Sequence, residues 1–174
     1  NNIVFNPWSA LASRGTLTQK VTEVSVVKVE NNELEQSLQT AIDYIGGISS
    51  IIPEGAKVLI KPNIVRYQAP PDTTDPAIVK ALIYIIKQKN PSVIWVAEGS
   101  GEGNTIQNFI ALGYSSIDNI PGVELVDLNY GDIVEVPVPG GGYVFDSFMF
   151  NSKVMEADVF ISLPCMKTHS MAVV

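Results

Sequence analysis

The sequence predicts an α/β fold, with an open, mainly parallel sheet, helices on both faces and one antiparallel hairpin insertion. Short apolar runs, typical of strands buried on both faces, alternate with amphipathic helical segments over most of the 174 residues. Between residues 132 and 150 two runs of alternating polarity flank Pro139-Gly-Gly-Gly142, which indicates a hairpin. Because crossovers between parallel strands are right-handed, few topologies fit this order of elements.

Three helices are predicted from periodicity and end signals. The first has Asn31 or Asn32 as its cap and ends at Gly46-Gly47. The second begins at Asp75-Pro76, where an N-cap is followed by proline at the first helical position, and it runs to Lys89. A third helix over residues 105–112 and a short helical turn over residues 152–157 complete the set.

The strands are predicted from two patterns. Residues 21–29 alternate in polarity, as strands with one buried face do. The other parallel strands are short apolar runs at residues 58–60, 93–97, 123–126 and 159–163. The carboxyl ends of parallel strands share one edge of the sheet, and ligands bind there in open α/β folds.

We expect residues 21–174 to form a single α/β domain after an N-terminal arm of residues 1–20. The arm carries Phe5 and Trp8 without helical or strand periodicity. The sequence ends at Val174 within an apolar run that has no stop signal, so we expect the domain to be truncated at its C-terminus. It begins without methionine, and the compartment stays open between export after processing and the cytoplasm.

Composition excludes several classes of function. The 11 basic residues are outnumbered by 18 acids, giving a net charge of −7, which argues against a nucleic-acid partner. The apolar runs, such as residues 81–86, are far shorter than the roughly 20 residues of a membrane span. Cys165 is the single cysteine, so this chain alone forms neither a disulfide nor an iron–sulfur cluster. The cofactor is not identified, and no metal site is predicted.

Lys61 and Asn63 are candidate ligand-binding residues because they follow a buried strand directly. A lysine at the end of a strand can reach over the edge of the sheet, and the asparagine side chain can both donate and accept hydrogen bonds. The alternative is a lysine that extends into solvent beside a turn shaped by its neighbours.

The loop after the strand at residues 93–97 is rich in glycine, and Gly99, Gly101 and Gly103 are candidate ligand-binding residues. Backbone N–H groups in such a loop can bind an anion. The spacing departs from the dinucleotide-binding pattern because Asn104 stands where the third glycine belongs, and Glu98 would repel phosphate. The alternative is an ordinary connecting loop.

Lys167 and His169 are the candidate catalytic residues. Both follow the last strand, where a lysine can hold an anion and a histidine can transfer protons near neutral pH. Cys165 would face His169 on a helical turn as a nucleophilic pair, although a small buried thiol is the simpler interpretation. The alternative for the whole segment is a solvated loop.

Residues 72–75 contain two aspartates and two threonines that could supply oxygen ligands to a hard cation. Capping of the second helix explains Asp75 more simply.

Several ordered motifs resemble the prokaryotic family catalogued as domain of unknown function 362. They are Val58-Leu-Ile-Lys-Pro-Asn63, Thr73-Thr-Asp-Pro76 with Val79-Lys-Ala-Leu82, Val123-Glu-Leu-Val-Asp-Leu128, and Glu156-Ala-Asp-Val-Phe-Ile-Ser-Leu-Pro164 followed by Lys167-Thr-His-Ser170. The resemblance runs from about Val21 to the end of the chain, and the family name specifies no reaction.

The resemblance implies possible partners. Similar proteins often carry, or are encoded with, ferredoxin-like iron–sulfur segments, and others carry export signals. The family pattern continues beyond the Lys-Thr-His stretch, so a ferredoxin-like partner or a further C-terminal segment would complete the site. The resemblance favours Lys61, Asn63, Lys167 and His169, and it does not favour Cys165.

Two functions follow as hypotheses. In the first, the domain binds a small anionic or carbonyl-bearing ligand at the carboxyl ends of the strands, with redox chemistry supplied by a partner. In the second, the protein is an exported, non-catalytic structural or interaction protein that self-associates through its N-terminal arm and the hairpin. A nucleotide-binding domain would be a third class, and it depends on the glycine-rich loop alone. The sequence does not decide whether the protein is an enzyme.

Overall fold

The computed structural model describes residues 23–31 and 33–169. The strands are β1 (Lys57–Pro62), β2 (Val93–Glu98), β3 (Val123–Asp127), β4 (Ile133–Pro137), β5 (Ser147–Asn151) and β6 (Val159–Leu163). The helices are α1 (Leu34–Asp43), α2 (Pro76–Lys87), α3 (Thr105–Ala111), α4 (Ser115–Asp118) and α5 (Ser152–Glu156), with a 3-10 turn at Ile48–Ser50. The N-terminal arm of residues 1–20 lies outside the described residues.

The sheet is parallel and has four strands in the order β3-β2-β1-β6, and β4 and β5 form a separate antiparallel hairpin. In the register of the sheet, Leu59 of β1 lies between Trp95 of β2 and Phe160 of β6. Because all four strands run the same way, their C-terminal ends lie along one side of the sheet. We call this side, with the loops that leave it, the carboxyl edge.

Most of the helices cover one face of the sheet. Side chains from the strands, such as Val58, Ile60 and Val96, pack there against Ile83 of α2 and Phe109 of α3 in one cluster. The opposite face has a smaller cluster of Leu59, Trp95, Ala97 and Ala157, against which Val154 of α5 packs.

The order of connections explains this division. The chain moves across the sheet from β1 through β2 to β3, so crossovers of one hand place α2, α3 and α4 on the same face. The return from β3 to β6 runs in the opposite direction and therefore passes over the other face, which receives α5. The predicted fold class, with helices on both faces and one hairpin insertion, is confirmed.

The helix signals in the sequence act as predicted at most ends. The Asp75 carboxylate accepts a hydrogen bond from the Ala77 N–H at 2.8 Å and caps α2, and the Gly47 N–H bonds to the Ile42 carbonyl after α1. The start of α1 differs from the prediction, because its N-cap is Glu33, without a side-chain cap. The four-residue helix α4 was not predicted, since it is too short to show periodicity.

The strand predicted over residues 21–29 is wrong for the residues that the structure describes. Residues 23–30 form no strand, and the Val24 and Val26 side chains are 79% and 89% exposed. Alternating polarity suits a strand, but a strand exists only where a second backbone completes its hydrogen bonds. Among the described residues no backbone pairs with this segment as a strand.

No helix of the described residues is long and apolar enough to cross a bilayer.

Replacing Ile83 with alanine should lower the free energy of unfolding by about 3 kcal/mol, because a fully buried side chain would leave a cavity between α2 and the sheet. The neighbouring Tyr84 is 41% exposed and provides the control. Its replacement with alanine should cost below about 1 kcal/mol. Urea denaturation measures both, and equal losses would contradict the packing described here.

Candidate functional site

Lys61 and Glu98 form an ion pair across the carboxyl edge. The Lys61 Nζ lies 2.8 Å from Oε1 and 2.9 Å from Oε2 of Glu98, because the parallel register of β1 and β2 brings the ends of these strands together. The Glu98 side chain is only 6% exposed, whereas that of Lys61 is 37% exposed. The Lys61 ammonium group is therefore bound to a buried carboxylate, and the Lys61 side chain remains partly exposed to solvent.

The Glu98 carboxylate also organises the backbone around it. It accepts hydrogen bonds from the Ile64 N–H and the Gly99 N–H, each at 2.9 Å. A buried carboxylate is stable when charge and hydrogen bonds satisfy its oxygens, and here both oxygens have partners. The sequence interpretation treated Glu98 as a group that repels phosphate. In the structure it compensates the charge of Lys61.

Asn63 shapes the loop that follows β1. Its N–H donates to the Thr74 Oγ1 at 2.8 Å, and its carbonyl accepts from the Thr74 N–H at 3.1 Å. Its side-chain Nδ2 donates to the Asp72 carbonyl at 3.1 Å. These bonds close residues 63–74 into a loop whose two ends lie at the carboxyl edge.

Thr74 connects the loop after β1 to the end of β6 and to the helical layer, whereas the sequence analysis considered it only as a cation ligand and as part of a family motif. Besides its bonds to Asn63, its Oγ1 donates to the Leu163 carbonyl at the end of β6 at 2.8 Å. Its own carbonyl accepts from the Tyr114 hydroxyl at 2.7 Å. The side chain is 4% exposed. In the sequence, the signal for this structural role was its place directly before the Asp75-Pro76 cap.

Burial raises the pKa of the Tyr114 hydroxyl far above its ordinary value of 10.0, and the negative charge of Asp75 adds to the effect. The hydroxyl therefore stays protonated at neutral pH and acts as a fixed donor to Thr74. The ring is fully buried beside Phe109, with ring centroids 5.2 Å apart.

The glycine-rich loop is tied to its surroundings through several of its backbone groups. The Gly99 N–H is taken by Glu98, and the Ser100 N–H donates to the Thr105 Oγ1 at 3.1 Å. The Ser100 carbonyl accepts from the Asn129 Nδ2 at 2.9 Å. The N–H groups of Gly99 and Ser100, which were expected to face an anion, therefore donate to side chains of the protein itself.

The predicted glycines have different structural roles. A Cβ atom at Gly99 would lie 2.8 Å from the Asn129 Oδ1, so any larger residue there would force the Asn129 side chain to shift. Gly103 has a φ of 76°, which favours glycine. Gly101 faces Val65, whose Cγ1 would lie 3.6 Å from an added Cβ. Ligand binding by these glycines stays a prediction.

Residues 164–169 leave β6 next to the end of β1, since Pro62 pairs with Leu163. Lys167 and His169 are exposed on this segment. The segment is not helical, so it lacks the turn on which Cys165 and His169 would face each other. Cys165 instead lies half-buried, with its Sγ 3.9 Å from the Thr74 Oγ1. The roles predicted for Lys167 and His169 stay predictions.

The aspartates at residues 72–75, considered above as cation ligands, make hydrogen bonds within the protein. Asp75 caps α2, and the Asp72 carboxylate accepts a hydrogen bond from the Gln68 side chain. Over residues 23–31 and 33–169 no three histidine, cysteine or acidic side chains gather in a way that could hold a metal ion.

An open depression of about 440 Å³ lies between α1 and α2, apart from the residues predicted to bind a ligand. It is lined by Glu33–Gln36 of the first helical turn and by Ala77, Lys80, Ala81 and Tyr84 of α2. It belongs to the helical layer and contains none of the carboxyl-edge residues discussed above.

The family described as Domain of unknown function (DUF362) matches residues 58–174, from the start of the buried part of β1. The chain belongs to the DUF362 family. The matched range contains each of the predicted site residues, whereas α1 and the N-terminal arm lie before it.

The chain is also similar to the thylakoid-associated protein sll1697 of Synechocystis, a DUF362 relative. The two are 30% identical over 163 residues, which cover 86% of this chain and 46% of the relative. The chain thus spans about half the length of that protein. No solved structure matches the chain significantly.

Replacing Glu98 with glutamine should lower the free energy of unfolding by about 2 to 3 kcal/mol, because the Lys61 ammonium would lose its carboxylate. Glu102 provides the control, since it pairs with Arg66 at 3.2 Å while both side chains are more than half exposed. Its replacement with glutamine should cost below about 1 kcal/mol. Chemical denaturation distinguishes the two, and a small loss at Glu98 would show that the buried pair is not structural.

The raised pKa of Tyr114 predicts a loss of stability at alkaline pH. The folded protein holds the phenol proton more tightly than the unfolded chain, so this contribution is complete below pH 10.0 and declines as pH rises above it. Tyr114→Phe should cost about 1 kcal/mol at pH 7 through the lost hydrogen bond and should flatten the alkaline decline. Denaturation from pH 7 to 11 tests this. Parallel curves for the two proteins would contradict it.

Proposed function

We propose that this chain binds a small anionic or carbonyl-bearing ligand at the carboxyl edge, between the ends of β1 and β6, with redox chemistry supplied by a partner. The supporting observation is the strand order. The chain leaves β1 in one direction across the sheet, and it returns over the other face to place β6 on the opposite side of β1. In open α/β sheets the crevice at such a reversal is the usual ligand site.

The residues at this reversal have suitable chemistry. Lys61 and Asn63 follow β1, and the segment with Lys167 and His169 follows β6. The Lys61 ammonium is held by Glu98, donates a longer bond of 3.3 Å to the Pro62 carbonyl and is partly exposed. It would bind a carbonyl or carboxylate oxygen by exchanging the bond to Pro62 for one to the ligand. Because Glu98 neutralises Lys61, the attraction for an anion would come mainly from Lys167.

The remaining roles follow from position. The Oδ1 atom of the Asn63 side chain would orient the ligand as an acceptor, because the Nδ2 atom already donates to the Asp72 carbonyl. His169 would transfer protons to or from the bound ligand. Redox chemistry would need a ferredoxin-like partner or a further segment of the protein, since a single cysteine cannot hold an iron–sulfur cluster.

Single replacements of Lys61, Lys167 and His169 with alanine test this function. Calorimetry should detect a ligand within a panel of 2-oxo acids, dicarboxylates and inorganic phosphate. Each lysine replacement should then weaken binding about tenfold, the value expected for one charged hydrogen bond. His169→Ala should leave binding less affected, because His169 is proposed to transfer protons and not to hold the ligand.

Lys80→Ala is the matched control, because Lys80 lines the depression between α1 and α2. Loss of binding in the Lys80→Ala variant alone would indicate that the ligand binds in the depression between α1 and α2 and not at the carboxyl edge. Unchanged affinity in the Lys61, Lys167 and His169 variants, or no binding by the panel at millimolar concentration, would contradict the proposed site.

A second candidate function is a non-catalytic interaction protein, and the hairpin favours it. Tyr143, Phe145 and Met149 are 104%, 61% and 64% exposed. Large apolar side chains exposed along one hairpin are typical of interaction surfaces. Size-exclusion chromatography with light scattering should show self-association, through the N-terminal arm of one copy and the hairpin of another, that Phe145→Ser and Met149→Ser abolish. A monomer at every concentration would remove self-association as the function.

A further inference from the structure

The exposed tip of the hairpin forms an apolar surface, the hairpin patch, which consists of Val136, Tyr143, Val144, Phe145 and Phe148. Tyr143 and Val144 are 104% and 80% exposed, and Phe148 is 50% exposed. The rings of Phe145 and Phe148 lie against each other, with centroids 5.7 Å apart. Val136 pairs with Phe148 across the hairpin, so these two side chains share one face.

A two-stranded hairpin is marginally stable in water without a third strand or a packed face. Among the described residues, the bonds that fix the hairpin to the domain lie at its base. The Asn151 Nδ2 donates to the Tyr130 carbonyl at 2.7 Å, and the Ser152 N–H donates to the Asp132 carbonyl at 2.8 Å. The hairpin patch therefore suits an occupant that brings apolar side chains.

Charge identifies the chemistry of that occupant. Residues 130–151 contain three acids, Asp132, Glu135 and Asp146, and no lysine or arginine. A second copy of the hairpin would bring acid against acid, which is unfavourable. A basic segment with large apolar side chains would be complementary.

The N-terminal arm, residues 1–20, has this composition. It contains Arg14 and Lys20 and no acid, and its apolar residues include Phe5 and Trp8. A segment tethered to the same chain competes at an effective concentration on the order of millimolar, well above that of a second molecule in dilute solution.

We propose that the N-terminal arm binds the hairpin patch of its own chain, with Phe5 and Trp8 on the exposed aromatic rings and Arg14 and Lys20 near Asp132 and Asp146. The hairpin is then an interaction surface whose occupant is this arm. This inference does not depend on ligand binding at the carboxyl edge.

Trp8 fluorescence tests the pairing. In a Trp95→Phe background Trp8 is the one remaining indole, since the chain has two tryptophans. Its emission should be shifted to shorter wavelength than that of a synthetic peptide of residues 1–20. Phe145→Ser/Phe148→Ser should raise acrylamide quenching of Trp8 about twofold or more, toward the value of the peptide, because the shielding rings are gone.

The matched control is Ile106→Ser/Ile110→Ser, which removes two apolar side chains of α3 that are 38% and 59% exposed. It should leave Trp8 quenching unchanged. Far-ultraviolet circular dichroism of each variant confirms that the domain is folded. Should Trp95→Phe fail to fold, a fluorinated tryptophan read by ¹⁹F NMR separates Trp8 from Trp95 in the unchanged sequence.

Charge reversal provides an independent test. Arg14→Glu/Lys20→Glu should raise Trp8 quenching, and adding Asp132→Lys/Asp146→Lys to this variant should restore protection. Emission of Trp8 equal to that of the free peptide in the unchanged arm and hairpin would overturn the proposal. Protection that appears only as a dimer forms would overturn pairing within one chain. Neither result would bear on ligand binding at the carboxyl edge.

Discussion

The structure depends on the parallel pairing of β1 with strands on both sides. β1 is buried on both faces and pairs with β2 and with β6, so that Leu59, for example, lies between Trp95 and Phe160, which are distant along the chain. This pairing fixes which loops meet. It places the residues after β1 between the glycine-rich loop on one side and the segment after β6 on the other, and the polar contacts of the carboxyl edge follow from that arrangement.

Two buried polar groups maintain the arrangement. Glu98 binds the Lys61 ammonium and two backbone N–H groups, so it joins the end of β1 to the end of β2. Thr74 bonds to Asn63, Leu163 and Tyr114, so it joins the loop after β1 to the end of β6 and to the helical layer. Because buried polar groups are costly when unpaired, both residues favour one arrangement of these loops over others.

The carboxyl edge and the hairpin lie in different parts of the molecule. The carboxyl edge is polar, internally bonded and suited to a small ligand, whereas the hairpin is apolar, exposed and suited to a polypeptide. The return from β3 to β6 explains the separation, since it carries the hairpin away from the face that α2 and α3 cover. The proposed ligand binding and the proposed hairpin interaction would therefore respond to different substitutions.

Local patterns in the sequence determined the type and order of most elements. Each of these patterns acts within a few residues, so it can be recognised from the sequence without knowledge of the fold. They are the Asp75-Pro76 cap, the Gly46-Gly47 stop and the short apolar runs. The same patterns placed Lys61, Asn63 and the segment of Lys167 and His169 after parallel strands, and hence at one edge. Their functions remain predictions, because a position at an edge does not specify what binds there.

Only the tertiary structure decided those features that depend on residues far apart in the sequence. The alternating residues 23–29 form no strand, because a strand requires a second backbone that local polarity cannot reveal. The Lys61–Glu98 pair arises from strand register, and Thr74 acts through contacts with a strand 89 residues away. The exposure of Phe145 and Phe148 likewise follows from where the return connection runs. Sequence therefore determined most of the elements, and the long-range pairing of backbones determined which side chains meet.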